Sequence, residues 1–287
     1  MTLSALFQAA KDRARLASFD VPDSQLFFLL EKAFQTPKTD LLLQWNNPTF
    51  PSKKNISQFN RLIDQLLDNT PLAYLLESTY FNNRLYSCTR GVLIPRPETE
   101  DVLAHIVSHL KQKKLPQASL FECGSGSGVL SIELALKFPD FLIQSWDISK
   151  KAYNLAQKNA AFAQAPSVKW HRGSFFSAQA QSIQLNCPTP RIIVSNPPYI
   201  ALSEMSSLDA SVRLHEPKRA LVGGVDGLSF YKRLLKQMKS IDAVYGYFEC
   251  GATQSKAIEA LAIKQGYLGT TTLPDYRGIL RCTIVQK

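Results

Sequence analysis

The sequence is poor in metal ligands and in paired cysteines. Of its 287 residues only four are His and five are Cys. No His is spaced with a Cys or a carboxylate as a coordination site requires, so no metal is expected. Cys88, Cys123, Cys187, Cys250 and Cys282 are scattered, odd in number and free of any Cys-x-x-Cys pair. That pattern excludes a disulfide scaffold and reads as reduced thiols. No uninterrupted apolar stretch is long enough to span a bilayer, which argues against a membrane protein. The opening segment MTLSALFQAAKDRARLASFD carries its basic residues behind its apolar ones and shows no small-residue cleavage pattern. A secretory signal is therefore not expected, and the expected location is cytoplasmic. Internal repeats and low-complexity tracts are also absent.

What is there is an ordinary globular composition, 45% hydrophobic and 20% charged, in a chain long enough for two domains. The net charge of +10 is unevenly spread. Residues 1–78 balance eight basic against eight acidic side chains, so the whole excess falls on the remainder. A basic second part suits an acidic or nucleic-acid-associated partner, and scattered solubilising lysines account for it equally well.

Residues 1–78 show helix-period apolar spacing and almost no strand signal. Leu3, Leu6 and Phe7 recur at helical spacing, and Asp23 or Ser24 is placed to cap the run QLFFLLEKAF. Further helices are predicted near 38–44 and 56–68, with Pro48 and Pro51 breaking the chain between them. Over 79–95 apolar and polar residues alternate about Asn82-Asn83, which predicts a hairpin. A helix follows from about 98 to 111, behind Pro97. From 119 onward strands and helices alternate. Strands are predicted at 119–123, 141–147, 167–171, 191–196 and 244–250, with a closing pair near 266–273 and 279–286. Such alternation argues an α/β fold with a mainly parallel sheet covered on both faces. The boundaries read as a helical domain over 1–78, a hairpin linker over 79–97 and an α/β domain over 98–287.

The first strand of the α/β part ends in Phe-Glu-Cys-Gly-Ser-Gly-Ser-Gly-Val-Leu, residues 121–130. Gly124, Gly126 and Gly128 remove side chains where the backbone turns from strand to helix, so a ligand can lie against bare peptide. Asp147 closes the next strand and can accept both hydroxyls of a ribose. Together they predict a nucleoside across two neighbouring strand ends. Glu122 stands in front of the loop, which suits a cationic ligand better than a pyrophosphate. S-adenosylmethionine, with its sulfonium and ammonium, is such a ligand.

Behind the apolar run Arg-Ile-Ile-Val comes Ser-Asn-Pro-Pro-Tyr-Ile, residues 195–200. Alone, this is either a strand-terminating turn or a grip for a planar amine. As a grip, the side-chain carbonyl of Asn196 and the backbone carbonyl of Pro197 would hold the two hydrogens of an –NH2 group. They would favour the pyramidal nitrogen that attack requires. Pro198 lacks an N–H and fixes its φ, and Tyr199 can lie flat against the amide or base. Glu249 and Asp275 read as structural acids, and His215 as a packed side chain.

With these motifs and several longer segments, the chain resembles the protein-glutamine N-methyltransferase family that modifies peptide chain release factors. The resemblance covers nearly the whole chain. It rests also on VLIPRPETE (92–100), HEPKRALVGGVDGLSFYKRLL (215–235), FECGATQ (248–254) and Asp275-Tyr-Arg-Gly278-x-x-Arg281. It implies a Rossmann-like seven-stranded class I methyltransferase domain whose last strand is antiparallel, behind a small helical substrate-binding domain and a β-hairpin linker. It implies S-adenosylmethionine as methyl donor, with S-adenosylhomocysteine as product, bound by Glu122, Gly124, Ser125, Gly126, Ser127, Gly128, Asp147, Phe175 and Asn196. Asn196, Pro197, Pro198 and Tyr199 would hold a glutamine side chain, with Asn196, Pro197 and Tyr199 acting in catalysis. The substrate would be the Gly-Gly-Gln loop of a release factor, with no direct nucleic-acid binding and a monomeric enzyme. Since Asn-Pro-Pro-Tyr is shared with amino-methyltransferases acting on adenine or cytosine in DNA or RNA, that activity is the alternative. Some positions depart from the family pattern, Asn82-Asn83 at the hairpin among them. Ser174 stands where an acidic residue near the adenine is usual, and Glu77 stands where glycine is usual.

Overall fold

The computed structural model describes residues 1–165 and 167–287. The chain forms two compact units, one of residues 1–78 with 209–215, the other of 79–208 with 216–287. Recruitment of Asp209–His215 into the first unit has no local sequence signal. It joins there partly through His215, whose Nε2 lies 2.9 Å from the carbonyl of Asp68.

The first unit contains α1 (Leu3–Leu16), α2 (Asp23–Phe34), α3 (Lys38–Leu43), α4 (Lys53–Leu67) and α5 (Leu72–Leu76). Two of its helices, α1 and α4, start where a side chain satisfies an orphan N–H group, and α2, α3 and α5 start behind a proline. Thr2 accepts from the Ala5 N–H at 3.1 Å, and Ser52 from the Asn55 N–H at 3.1 Å. The α2 start differs from the expected Asp23 or Ser24 cap. Pro22 occupies the cap position; its hydrocarbon ring has no acceptor to offer, and it instead fixes φ for an extended entry into the helix. Asp23 instead falls in the first turn, where a negative charge is favoured, and pairs with Lys11 at 2.8 Å. Spacing of i, i+3, i+4, i+7 on α4 buries Phe59, Leu62, Ile63 and Leu66 against Leu26, Leu29 and Leu30 of α2. Glu77 ends α5 at φ +61°, the left-handed region that favours glycine, and its carboxylate pairs with Lys32 at 2.5 Å.

The second unit opens with the hairpin β1 (Ser78–Phe81) and β2 (Arg84–Ser87), turned by Asn82 and Asn83 with both φ values positive, as a two-residue hairpin requires. After α6 (Pro97–Lys113) come β3 (Ser119–Cys123), α7 (Val129–Lys137), β4 (Leu142–Asp147), α8 (Lys150–Phe162), β5 (Lys169–Arg172), α9 (Ala178–Leu185) and β6 (Arg191–Ser195). The chain continues through α10 (Ala210–His215), which lies in the first unit, then α11 (Ser229–Ser240), β7 (Ala243–Glu249), α12 (Ser255–Lys264), β8 (Gly269–Pro274) and β9 (Leu280–Gln286). The seven strands order as β5-β4-β3-β6-β7-β9-β8. All neighbours are parallel except β9, which inserts antiparallel between β7 and β8. The expected seven-stranded, mainly parallel sheet with an antiparallel final strand is what forms.

Helices cover both faces. Side chains of α6, α7 and α8 pack on one face around Leu120, Ile143, Ile192 and Val194. Those of α11 and α12 pack on the other around Phe121, Ile193, Phe248 and Val285. Every residue of β3 is buried, which is why its sequence does not alternate.

The hairpin is tied to α7 through one buried carboxylate. Glu133 accepts from Asn82 Nδ2 at 2.6 Å, Arg84 Nε at 3.2 Å and Tyr86 Oη at 2.5 Å. Replacing it leaves the buried Tyr86 hydroxyl without this acceptor. Glu133→Ala is therefore expected to lower unfolding stability by about 2 kcal/mol in a urea titration, in the range for orphaned buried polar groups.

Candidate active site

Parallel pairing puts the carboxyl ends of β3, β4 and β6 side by side. Cys123 of β3 pairs with Trp146 of β4, and Glu122 with Val194 of β6. The chain therefore leaves the sheet on one edge three times, at Gly124, Ile148 and Asn196. A cavity of about 250 Å³ opens there, lined among others by Gly124, Gly126, Trp146, Asp147, Phe175 and Asn196. In open α/β sheets ligands bind in the crevice outside the carboxyl ends of the strands, which is this edge.

The glycine loop is held from below by β4. The N–H groups of Gly124 and Ser125 both donate to the Trp146 carbonyl, at 2.9 and 3.0 Å. Asp147 continues this grip, accepting from the Gly126 N–H at 2.9 Å and the Ser149 N–H at 2.8 Å. Burial raises the Asp147 carboxyl above its usual range, opposed by these two N–H groups and by Arg219. The three glycines divide by task. A Cβ at Gly124 or Gly126 would meet nothing within 4 Å, because both face open space, whereas one at Gly128 would sit 2.9 Å from the Trp170 ring and 3.0 Å from Ala156. Gly128 is thus required by packing of α7 on α8 and β5, and the other two leave bare backbone beside the cavity.

Of the residues expected at a nucleoside site, Gly124, Gly126, Asp147, Phe175 and Asn196 line the cavity, and Glu122, Ser125, Ser127 and Gly128 do not. Glu122 lies behind the loop, 2% exposed, accepting from Ser131 Oγ at 2.5 Å and Ser145 Oγ at 2.7 Å. Its carboxyl ties α7 and β4 to β3 and does not line the cavity. The Ser127 carbonyl is taken by Asn159 Nδ2 at 2.9 Å. Phe175 packs edge-on against Trp146 with ring centroids 5.5 Å apart. Sequence reasoning missed Trp146, Leu93, Arg219 and Arg233, which also line the cavity. Arg233 lies 4.0 Å from the Phe176 ring centroid, at the wall that holds Ser174.

Residues 196–199 are fixed from several sides. Ser195 Oγ donates to the Cys123 carbonyl at 2.7 Å, locking β6 to the start of the glycine loop. Asn196 Nδ2 donates to Thr99 Oγ1 at 3.2 Å, and that hydroxyl donates to Glu249 Oε2 at 2.7 Å. Gln254 Nε2 donates to the Tyr199 carbonyl at 2.7 Å, while its Oε1 accepts from the Gly251 N–H at 3.0 Å. Ile200 exchanges backbone bonds with Leu221 and Gly223. Pro197 is buried, and Asn196, Pro198 and Tyr199 are half-buried. Burial pushes the Tyr199 phenol well above its usual range, Glu249 adds to this, and Arg281 and Arg96 oppose it. The glycines of VGGVDG belong to the same arrangement. A Cβ on Gly223 would sit 2.6 Å from the Pro198 carbonyl, and one on Gly227 2.4 Å from that of Tyr199.

Asp275 and the charged residues of VLIPRPETE serve structure. Asp275 accepts from the N–H groups of Arg277 and Ile279 and from Arg281 Nε, closing the loop before β9. Arg96 pairs at 2.6 Å with buried Glu216, which also accepts from the Ile94 N–H. Glu98 pairs with Arg277. The five cysteines are free and buried. Among the described residues no helix is long and apolar enough to cross a membrane, and no group of three or more His, Cys, Asp or Glu could hold a metal.

The Methyltransferase small domain family matches residues 101–256, and the PrmC N-terminal domain family matches residues 5–76. The release factor glutamine methyltransferase of Bacillus subtilis (strain 168) is 32% identical over 92% of this chain and 91% of its own. That of Moorella thermoacetica is 31% identical over 100% of this chain and 99% of its own. The chain belongs to the release factor glutamine methyltransferase family. It is a methyltransferase. Among solved structures, the hMettl16 catalytic domain in complex with MAT2A 3'UTR hairpin 1 superposes with a TM-score of 0.53. It covers 79% of this chain and 90% of that one at 12% identity, a likeness of fold alone.

Two outcomes follow from this geometry. Gly227→Ala, which drives a methyl group against the Tyr199 carbonyl at a positive φ, is expected to cut methyl transfer about 100-fold, as a misplacement of about 1 Å does. Calorimetric affinity for the cofactor should change little. Glu122 is pushed up to about 7, chiefly by burial, with the two serine hydroxyls opposing. The unfolded chain loses this proton near 4.5 and the native state keeps it to about 7, so native stability falls as pH rises through that window. Denaturant midpoints measured across the window should fall less steeply for Glu122→Gln than for the parent.

Proposed function

We propose that this enzyme methylates the side-chain amide nitrogen of the glutamine in the Gly-Gly-Gln loop of peptide chain release factors, with S-adenosylmethionine as donor. The observation that carries the reading is Asn196. Its amide lines the cavity with its nitrogen committed to Thr99, so its carbonyl oxygen is available to an incoming –NH2 group. The relatives' names support the choice of a release factor glutamine as that group.

The residues present fit the donor. Gly124 and Gly126 leave open space where side chains would intrude, Asp147 is an acceptor for a ribose, and Trp146 and Phe175 form an apolar wall for a base. S-adenosylmethionine supplies a methyl group on a positively charged sulfur and leaves as S-adenosylhomocysteine. Asn196 Oδ1 and the Pro197 carbonyl accept the two amide hydrogens of the glutamine. They bind the pyramidal nitrogen of the transition state better than the planar ground state, in which the lone pair is delocalised. Tyr199 stays a neutral phenol and offers its ring to the amide plane. Gln254 holds the Tyr199 carbonyl, and Gly223 and Gly227 leave room for the Pro198 and Tyr199 carbonyls, so the rate rests largely on positioning. Once methylated, the nitrogen gives up one proton to water.

The helical unit is assigned to gripping the release factor, and the enzyme to the cytoplasm as a monomer. Incubation of the protein with labelled donor, a release factor and DNA and RNA oligonucleotides tests the reading. Mass spectrometry should find one methyl on the glutamine of the Gly-Gly-Gln loop, and Asn196→Ala should abolish it. Label in the oligonucleotides instead, or full activity in Asn196→Ala, would overturn it.

A further inference from the structure

Asn196 and Glu249 step off neighbouring strands at the same edge, since Ser195 of β6 pairs with Phe248 of β7. Thr99, in the first turn of α6, bridges them with one hydroxyl, 2.7 Å from the carboxylate and 3.2 Å from the amide. Thr99 and Glu249 are 3% and 1% exposed, so solvent supplies no substitute partner.

An asparagine amide is nearly the same shape either way round, yet its two ends do opposite things. With the oxygen outward it accepts from a substrate –NH2, and with the nitrogen outward it repels one. The inner partner decides which end points in. An ionised carboxylate can only accept, so it claims the single Thr99 proton. The threonine oxygen then has only lone pairs for Asn196, and only the –NH2 end satisfies it.

We propose that Thr99 and Glu249 are positioning residues whose relay holds the Asn196 carbonyl toward the substrate, and that loss of the Glu249 charge releases this hold. A neutral Glu249 can donate to Thr99, whose own proton then becomes free to bond the Asn196 oxygen with the amide reversed. The groups facing Glu249 are Thr99 and Glu98 from α6, Asn196 and Tyr199 beyond β6, Cys250 beside it, and Arg281 and Cys282 from β9. Burial dominates among them and pushes the carboxyl up to about 7; Thr99, Arg281 and the Asn196 –NH2, which also reaches the carboxylate, oppose it, and Glu98 adds to it, so the release falls at an accessible pH.

The assignment rests on the proposed amide-methyl transfer, and its test separates the two. The side-chain –NH2 resonance of Asn196, identified by its loss in Asn196→Ala, reports the relay without any substrate. It is expected to shift with a midpoint near pH 7, to lose its exchange protection in Thr99→Val, and to stop titrating in Glu249→Gln. In the methylation assay kcat should rise with pH through the same midpoint. Thr99→Val should lower kcat by about 100-fold, the upper range for a residue supporting a site from behind. Its KM for the release factor should hardly move, and Thr99→Ser should recover most of the rate. An Asn196 resonance indifferent to pH and to Thr99→Val overturns the relay, as does undiminished kcat in Thr99→Val. A responsive resonance in a protein that leaves release factors unmethylated keeps the relay and overturns the substrate instead.

Discussion

Parallel pairing at the centre of the sheet is the constraint on which everything else hangs. With β3 flanked in register by β4 and β6, the residues that follow each strand must emerge together on one edge. The glycine loop, Asp147 and Asn196 lie far apart in the chain and meet only because of this pairing. Crossover helices make it possible, since parallel neighbours need long right-handed connections, and those helices bury both faces of the sheet.

Buried carboxylates tie this edge together. Glu122 holds α7 and β4 against β3, Glu133 holds the hairpin on α7, Glu216 binds Arg96 and the chain before α6, and Glu249 holds Thr99. Each takes two or more donors or one short hydroxyl bond, which offsets the cost of removing charge from water. Burial of the two nearest the glycine loop and the amide site also raises their pKa toward neutrality. The same placement that orders the site therefore makes it sensitive to pH.

Much of the architecture was legible from local pattern. Amphipathic spacing in 56–68 and alternation of strand and helix after 119 translate directly into elements, because burial of one face or of both imposes its own period. The Asn82-Asn83 turn was equally plain, since few residues tolerate two successive positive φ values. Reading failed where partners come from afar. Asp23 looked like a cap until Pro22 took that place. Nothing local to Glu122, in front of the glycine loop, announces its bonds to Ser131 and Ser145. Glu249 read as a plain strand-end acid, and nothing near it in sequence announces Thr99, 150 residues earlier.

The sequence by itself determined the element types, the order of the motifs and the chemical kinds of group brought to the site: bare glycine backbone, a ribose acceptor and an amide flanked by prolines. These depend on side-chain size, backbone freedom and periodicity, which are properties of neighbouring residues. Only the tertiary structure decided that Gly128 serves packing while Gly124 and Gly126 face the cavity. It alone joined 209–215 to the helical unit and set Thr99 and Glu249 behind Asn196. Those choices depend on which surfaces meet across the sheet, and hydrogen bonds between residues distant in the chain exist only once folding has brought them within about 3 Å.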